Sequence, residues 1–167
     1  MSAEQLFAIA NTIAALSWIL LAMLPGRRWV TDVVTGRAIP IVFAVLYIGI
    51  VGATFGAADG SFATLGGVAT LFTNPWLLLA GWVHYLAFDL LIGTWEARDA
   101  RERGVPHLLL VPCLFLTFMF GPAGWLVYLG VRAAAGHNRR DLAGADAGSP
   151  PPSSAPTAHV TSTGTSA

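Results

Sequence analysis

The chain has 167 residues, of which 55% are hydrophobic and only 11% are charged. A soluble domain usually carries about twice that charged fraction, so the composition argues against a water-soluble globular protein. The formal net charge is zero, and nothing in the sequence indicates a nucleic-acid partner. Every basic residue is an arginine, and the single cysteine, Cys113, has no second cysteine with which to form an internal disulfide.

The hydrophobic residues fall into four blocks, each long enough to cross the hydrocarbon core as a helix. The sequence therefore predicts an all-α integral membrane protein, a bundle of four transmembrane helices at about 6–24, 38–57, 75–95 and 107–131. The pair Arg27-Arg28 follows the first block instead of preceding it, which is the reverse of a secretory signal. The first block is therefore predicted to be a retained span.

Local signals refine the later blocks. Asn74 is a suitable N-cap for the third helix, and Pro75 suits its first position. In the fourth block, the segment GPAG at 121–124 predicts a kink, or two half-helices with slightly different axes. The membrane domain is predicted to occupy residues 1–135. Residues 136–167 are rich in Ser, Thr, Pro and Ala, cannot bury apolar area, and are predicted to form a disordered tail.

Arginine counts orient a membrane chain, because cytoplasmic loops carry an excess of basic residues. In a four-span bundle, loops one and three lie on one side and carry six arginines, whereas the other side carries three, all in the tail. The count predicts that both termini lie outside the cytoplasm, although the tail arginines oppose this orientation.

The second helix carries a small-residue step, Gly52-x-x-x-Gly56, which lets membrane helices approach closely. The step predicts a packing face, either for another helix of this chain or for a second copy. A homo-oligomer formed through the Gly52/Gly56 face is therefore one expected partnership, besides the lipid bilayer.

The third helix carries two ionisable residues, His84 and Asp89, inside its apolar run. A central Asp costs about 2.5 kcal/mol or more in a bilayer, so such residues usually face a cavity or a partner. On a helical wheel Trp82, Tyr85, Asp89 and Glu96 fall within about 80° of one another, whereas His84 lies about 140° around from Asp89. The two cannot form a tight dyad on one helix, but they could line opposite flanks of one cavity.

Each polar residue in the spans has two interpretations. Asp89 is either an acid or base in an apolar pocket, or a buried hydrogen-bond partner of Tyr85, Asn11 or an arginine. His84 is either a general base, proton relay or ligand, or a satisfied interior histidine. Asn11 is predicted to hydrogen-bond between helices. Glu96, at the end of the third span, is predicted to form an interfacial ion pair with Arg98 or Arg101.

No cofactor or metal is predicted. His84 and His107 differ by roughly 16 Å in depth, which argues against a haem held by two histidines. No cluster of Cys and His residues suggests zinc.

Two stretches carry a family resemblance: FTNPWLLLAGWVHYLAFDLLIGTWEARDA at 72–100 and GVPHLLLVPCLFLTFMFGPAGWLVYL at 104–129. Their sharpest parts are the N-P-W-x-x-x-x-x-W-x-H-Y-x-x-F-D run and the F-G-P-x-G step. The chain resembles the abscisic-acid-deficient-4-like family of small integral membrane proteins, which in plants are required for making neoxanthin from violaxanthin. With no plastid transit peptide before helix one, it resembles a bacterial-type relative, and this resemblance implies a location in the bacterial plasma membrane. The resemblance implies a lipid-soluble isoprenoid or carotenoid as substrate or partner.

If the family chemistry applies, the resemblance implies isomerisation of an epoxide end group to an allenic alcohol, which needs no redox cofactor. His84 would be the base and Asp89 the acid, with Tyr85 supporting the oxygen. Trp82 and Phe88 would wall the polyene, and Asn11 would complete the predicted substrate-binding residues.

Two other functions stay open at this point. The protein is alternatively a non-catalytic binding or assembly subunit that presents a lipid-soluble molecule to another enzyme. A second alternative is a small proton-coupled transporter with Asp89 as the ion site, although only the fourth block has a broken-helix signal.

Overall fold

The computed structural model describes the backbone of residues 1–147 and the side chains of residues 1–135. Within these residues it contains no strand, which confirms the all-α prediction. The helices are α1 (Ala3–Met23), α2 (Ile39–Thr54), α3 (Leu65–Leu71), α4 (Pro75–Arg103), α5 (His107–Phe120) and α6 (Pro122–Ala147). A π-helical segment, Trp29–Ala38, leads directly into α2, and a 3-10 turn, Phe55–Ala57, follows it.

Three helical stretches are long and apolar enough to cross a membrane: Ala3–Met23, Trp29–Ala57 and Pro75–Arg103. They correspond to the first three predicted spans, and the second begins earlier than expected because the π-helical segment continues α2 without a break. The third, α4, is the most buried of them and packs against α1, α2, α5 and α6. It is therefore the central helix of the protein.

The ends of α4 follow from local sequence. The Asn74 side chain accepts a hydrogen bond from the Trp76 amide at 2.9 Å, and Pro75 occupies the first turn. Both predictions for this helix start are confirmed. At the other end, Gly104 adopts a left-handed conformation with φ of 59°, which stops the helix after Arg103.

The predicted fourth span is not a single helix. From His107, α5 runs back along α4 until Gly121 comes against Asp89. There the chain reverses, and α6 returns in the opposite direction, so that Tyr128 reaches Asp99 near the end of α4. Residues 107–131 therefore form an α5–α6 hairpin, a much larger change of direction than the predicted kink, and a four-span bundle is not confirmed.

The sequence of the turn explains the reversal. Gly121 has a φ of 51°, a conformation that disfavours other residues, and a Cβ there would meet the Asp89 carboxylate at 3.2 Å. Pro122 begins α6, where its missing amide costs nothing. A Cβ on Gly124 would clash with the backbone of Thr117, so only glycine lets α6 start this close to α5. The F-G-P-x-G step is thus the signature of a tight helical hairpin.

The hairpin places the two ends of the described chain at opposite ends of the bundle. Ala3 lies beside Pro75, which we call the N-terminal end. Met23, Arg27, Arg101 and His107 lie together at the other, arginine-rich end, to which α6 returns. The prediction that both termini share one side assumed four complete spans and is not supported. Helix α6 also continues into the predicted tail, to Ala147, and residues 148–167 lie outside the described part.

The glycines of α2 and of the 3-10 turn that follows it do not contact another helix among the described residues. A Cβ added at Gly49, Gly52 or Gly56 would meet no atom within 4 Å. Of the two expected roles for the Gly52/Gly56 step, intrachain packing is therefore not observed, and contact with a second copy stays a prediction.

Candidate functional site

One face of α4 buries two carboxyl groups. Asp89 is 6% exposed and Glu96 is 0% exposed, and the two residues lie seven apart on the same side of the helix. Together with Tyr85, one turn before Asp89, they form what we call the carboxylate face. It points toward α5 and the hairpin turn.

Asp89 meets the turn between α5 and α6. Its carboxylate lies against Gly121, and the Tyr85 hydroxyl lies next to it. That hydroxyl also donates a long hydrogen bond of 3.4 Å to the carbonyl of Phe118. Asp89 Oδ2 is buried and has no hydrogen-bond partner among the described residues. A buried carboxylate oxygen without a partner is costly, which marks this atom as a place where a ligand can bind.

The environment of Glu96 differs from the one predicted. The expected interfacial ion pair with Arg98 or Arg101 is wrong, because Glu96 is fully buried and accepts a hydrogen bond of 2.8 Å from Thr117 Oγ1. Its second oxygen, Oε2, lacks a partner within the part of the chain that is described. Arg98 pairs instead with Asp32, at 3.0 Å. The helical wheel places Glu96 on the same face as Asp89, and this position predicts the observed burial of Glu96, whereas its arginine neighbours in sequence do not.

Trp18 of α1 covers the space between the two acids. Its ring packs directly on Gly93, where any side chain would clash with it. The indole Nε1 is buried and unpartnered in the described structure. Trp18 also contacts the Phe118 ring, at 5.4 Å between centroids. Both aromatic residues line an apolar groove of about 310 Å³ between α1 and α5. The groove therefore borders the carboxylate face.

His84 lies on the opposite, exposed side of α4. Its ring sits between those of Tyr47 and Phe88, at 5.6 and 4.6 Å between centroids. Phe88 itself is 54% exposed. We call His84 and Phe88 the aromatic face. The structure therefore does not bring His84 to Asp89, in agreement with the divergence that the helical wheel gave.

The remaining predicted site residues occupy two other places. Trp82 donates from Nε1 to the amide oxygen of Asn11 at 2.7 Å, which links α1 to α4 as expected for Asn11. The Trp82 ring also contacts that of Tyr85, at 5.5 Å between centroids. Phe88 lines a second apolar groove, together with Trp95 and Trp125 at the start of α6. Trp82 thus adjoins the carboxylate face, and Phe88 does not.

Asp99 joins the hairpin to α4 beyond the carboxylate face. Its two oxygens accept from Tyr128 at 2.7 Å and from Arg103 at 2.8 Å, and Arg132 lies 3.3 Å away. Arg132 also lies over the Trp95 ring. These contacts hold α6 against the last turns of α4, and so fix the position of the turn at Asp89. No role for Asp99 or Tyr128 was predicted from the sequence.

Among the residues described, no group of three or more His, Cys, Asp and Glu side chains is arranged to hold a metal ion. The carboxylate face can instead bind a polar group, accept a proton or donate one. Tyr85 supplies a hydroxyl donor and Asp89 supplies an acceptor.

Comparison with known proteins gives the family. Residues 5–128 match the family model described as ABA DEFICIENT 4-like. The search of curated proteins and the search of solved structures each gave no significant match. The match covers the three long helices, α5 and the start of α6, including every residue of the carboxylate face. The chain is therefore a member of the ABA DEFICIENT 4-like family, as the two quoted stretches indicated.

Proposed function

We propose that this membrane protein isomerises an epoxide end group of a carotenoid or related isoprenoid, with Tyr85 and Asp89 as the acid–base pair. The observation that carries the proposal is the pairing itself. A tyrosine hydroxyl lies beside a buried carboxyl group, one oxygen of which has no hydrogen-bond partner among the described residues, and both adjoin an apolar groove. Isomerisation of this kind requires an acid and a base that act on neighbouring atoms of one end group.

The proposed reaction conserves atoms and electrons. Ionised Asp89 removes the proton from the carbon next to the ring, and that C–H electron pair forms the new C=C bond as the epoxide C–O bond breaks. Tyr85 donates its proton to the leaving oxygen, which becomes the hydroxyl of the product. The Asp89 carboxylic acid then returns its proton to the Tyr85 phenolate, so both groups regain their starting state.

The apolar chain of the substrate would lie in the groove between α1 and α5. Trp18 and Phe118 line this groove, and each also touches the carboxylate face, Trp18 through Gly93 and Phe118 through its carbonyl. A chain in this groove therefore has its end group near Asp89. Glu96 Oε2 and Trp18 Nε1, which have no hydrogen-bond partner in the described part of the chain, offer further polar atoms for an end-group hydroxyl.

His84 has no part in this proposal, because it faces away from Asp89 between Tyr47 and Phe88. Its expected role as the base remains untested. The geometry favours a base on the carboxylate face, because such a base lies on the same side of α4 as Tyr85, whereas His84 would have to reach it from the other side of the helix.

Pigment profiling tests the proposal. The chain is expressed in a host that makes epoxy-carotenoids, and the extracted pigments are separated by chromatography. We expect an allenic product with the wild type, and about a hundredfold less or none with Asp89→Asn, given the usual contribution of a general base. Immunoblots of the membrane fraction verify equal amounts of protein.

An unchanged pigment profile, with the protein in the membrane, would exclude this activity on those substrates. If epoxy-carotenoid then co-purified with the wild type and not with a groove-filling Ala15→Phe variant, the protein would be a binding subunit instead. Ile92→Phe, beside the second groove, is the matched control.

We further propose that the arginine-rich end faces the cytoplasm and the N-terminus faces the opposite side. The hairpin brings Arg132 to the same end as the arginines of loops one and three. The described arginines therefore no longer indicate conflicting orientations of the chain in the membrane. No arginine precedes α1 or lies between Gly56 and Pro75. This asymmetry is what the positive-inside rule requires.

Cysteine labelling tests this orientation. In a Cys113→Ala background, Ser2→Cys and Ala135→Cys are treated in intact cells with a membrane-impermeant maleimide. We expect labelling at position 2 only. Labelling of both positions from outside would instead support four complete spans.

A further inference from the structure

A second cavity lies at the arginine-rich end, away from the carboxylate face. It holds about 610 Å³ and forms where the end of α1, the last turns of α4 and the start of α5 meet. Arg27, Arg101 and His107 supply its polar wall, and Leu24 and Leu110 belong to its apolar wall. No acidic side chain is among its described lining residues. The cavity is therefore basic on one side and apolar on the other.

The arginines at this end differ in how they are neutralised. Three of them pair with carboxylates, in the pairs Arg98–Asp32, Arg103–Asp99 and Arg132–Asp99. Arg27 and Arg101 form no ion pair with any described residue. Arg101 makes one long hydrogen bond of 3.4 Å, to Thr31 Oγ1, which leaves most of its five guanidinium donors available. Arg28 and Arg37 also form no ion pair with a described residue, but they do not line the cavity. Both arginines that line the cavity therefore lack a counter-charge among the described residues.

The helix ends around the cavity add to its preference for an anion. At the end of α4, the carbonyls of Ala100 and Arg101 are already used by the amides of Val105 and Gly104, at 2.8 and 3.4 Å. At the start of α5, the amides of Leu109 and Leu110 donate to the carbonyl of Pro106, whereas the amides of His107 and Leu108 donate to no backbone carbonyl of the described residues. A helix start adjoining two arginines favours negative charge.

We propose that this cavity binds the phosphate of an anionic phospholipid from the leaflet at the arginine-rich end. The planar guanidinium groups of Arg27 and Arg101 match phosphate oxygens, and His107 adds a third polar contact. Leu24 and Leu110 face the glycerol and the first acyl carbons. The cavity lies where α1 leaves the apolar region, which is the depth of lipid headgroups. Anionic lipids are concentrated in the cytoplasmic leaflet, which attracts such basic sites.

The experiment uses the purified full chain in detergent, titrated with phosphatidylglycerol and separately with phosphatidylcholine. Native mass spectrometry counts the retained lipids. We expect one tightly retained phosphatidylglycerol and no comparable phosphatidylcholine. The double substitution Arg27→Gln/Arg101→Gln should weaken phosphatidylglycerol binding by about tenfold or more, since each arginine contributes a charge-assisted hydrogen bond.

The matched control is Arg28→Gln/Arg37→Gln, which removes the same charge from two exposed arginines that do not line the cavity. It should bind phosphatidylglycerol as the wild type does. Equal weakening in both double variants would overturn the proposal, because it would show general attraction to the basic end. The proposal would also be overturned if inorganic phosphate were retained as well as phosphatidylglycerol, or displaced phosphatidylglycerol at the same concentration. Either result would favour a soluble phosphate ligand.

A second variant leaves all charges in place. A Cβ at Gly26 would meet open space, so Gly26→Phe should fold normally while its ring fills part of the cavity. We expect this variant to lose the retained lipid, and undiminished binding would contradict the proposed location. Because neither the lipid nor these residues enter the proposed isomerisation, failure of one proposal leaves the other intact.

Discussion

The two faces of α4 differ in what they do with polar side chains. On the carboxylate face, Asp89 and Glu96 are buried against α5 and the hairpin turn, and each has an oxygen without a described partner. On the aromatic face, His84 lies exposed between two aromatic rings. A histidine in a span looks as notable in sequence as an aspartate, but only the residue that faces protein is held in a defined chemical environment.

Matched substitutions to phenylalanine on the two faces give the sharpest contrast. Tyr85→Phe removes the hydroxyl beside Asp89 and should reduce product formation by about a hundredfold or more, as expected for the loss of a general acid. His84→Phe keeps the ring contacts on the exposed face and should leave product formation within about twofold. Pigment chromatography measures both, and loss of product with His84→Phe alone would reverse the assignment.

Glycine-to-alanine substitutions compare the buried and open surfaces of the bundle. Gly93→Ala forces a methyl group into the Trp18 ring and should cost about 1–3 kcal/mol of stability through overpacking. Gly49→Ala meets open space and should be neutral or slightly stabilising, because alanine favours helix. Thermal unfolding in detergent, followed by size-exclusion chromatography, ranks the variants. A Gly93→Ala protein as stable as wild type would contradict the close packing of Trp18.

Loss of the Thr117 hydroxyl tests the environment of Glu96. Thr117→Val removes the donor at 2.8 Å and leaves both carboxyl oxygens of Glu96 without a described partner. Leaving a buried acceptor unsatisfied costs about 1–3 kcal/mol, so the midpoint of thermal unfolding should fall. Thr12→Val is the control, since Thr12 is exposed and bonds only to Ala8 in its own helix. An equal fall in the midpoint of thermal unfolding in both variants would show that the hydrogen bond between Thr117 and Glu96 makes no specific contribution to stability.

The smallest effect is expected on the aromatic face. Phe88→Leu exchanges one exposed apolar side chain for another, so unfolding should change by about 0.5 kcal/mol or less. The same thermal assay measures it. A larger loss would mean that a bound partner or second copy covers this face.

Much of the fold could be predicted from local signals. Block length and hydropathy located the three long helices, and the Asn74-Pro75 start of α4 followed from capping rules alone. Helical spacing also separated His84 from Asp89 correctly. The predicted fourth span was not confirmed, because apolar residues 107–131 are long enough to cross the membrane but form a hairpin, and hydropathy does not distinguish crossing from turning back. Glu96 was misplaced for a related reason: its sequence neighbours are arginines, but its spatial neighbour is Thr117.

Composition and short, local patterns were enough to predict the membrane class, the central apolar helix with its polar residues, the start of α4 and the family. Which polar residues face one another is known only from the packed structure. The reversal at Gly121 depends on a close approach between α5 and α6, and the burial of Glu96 depends on α5 lying against α4. Both are contacts between distant parts of the chain, whose energy exists only once the helices have packed.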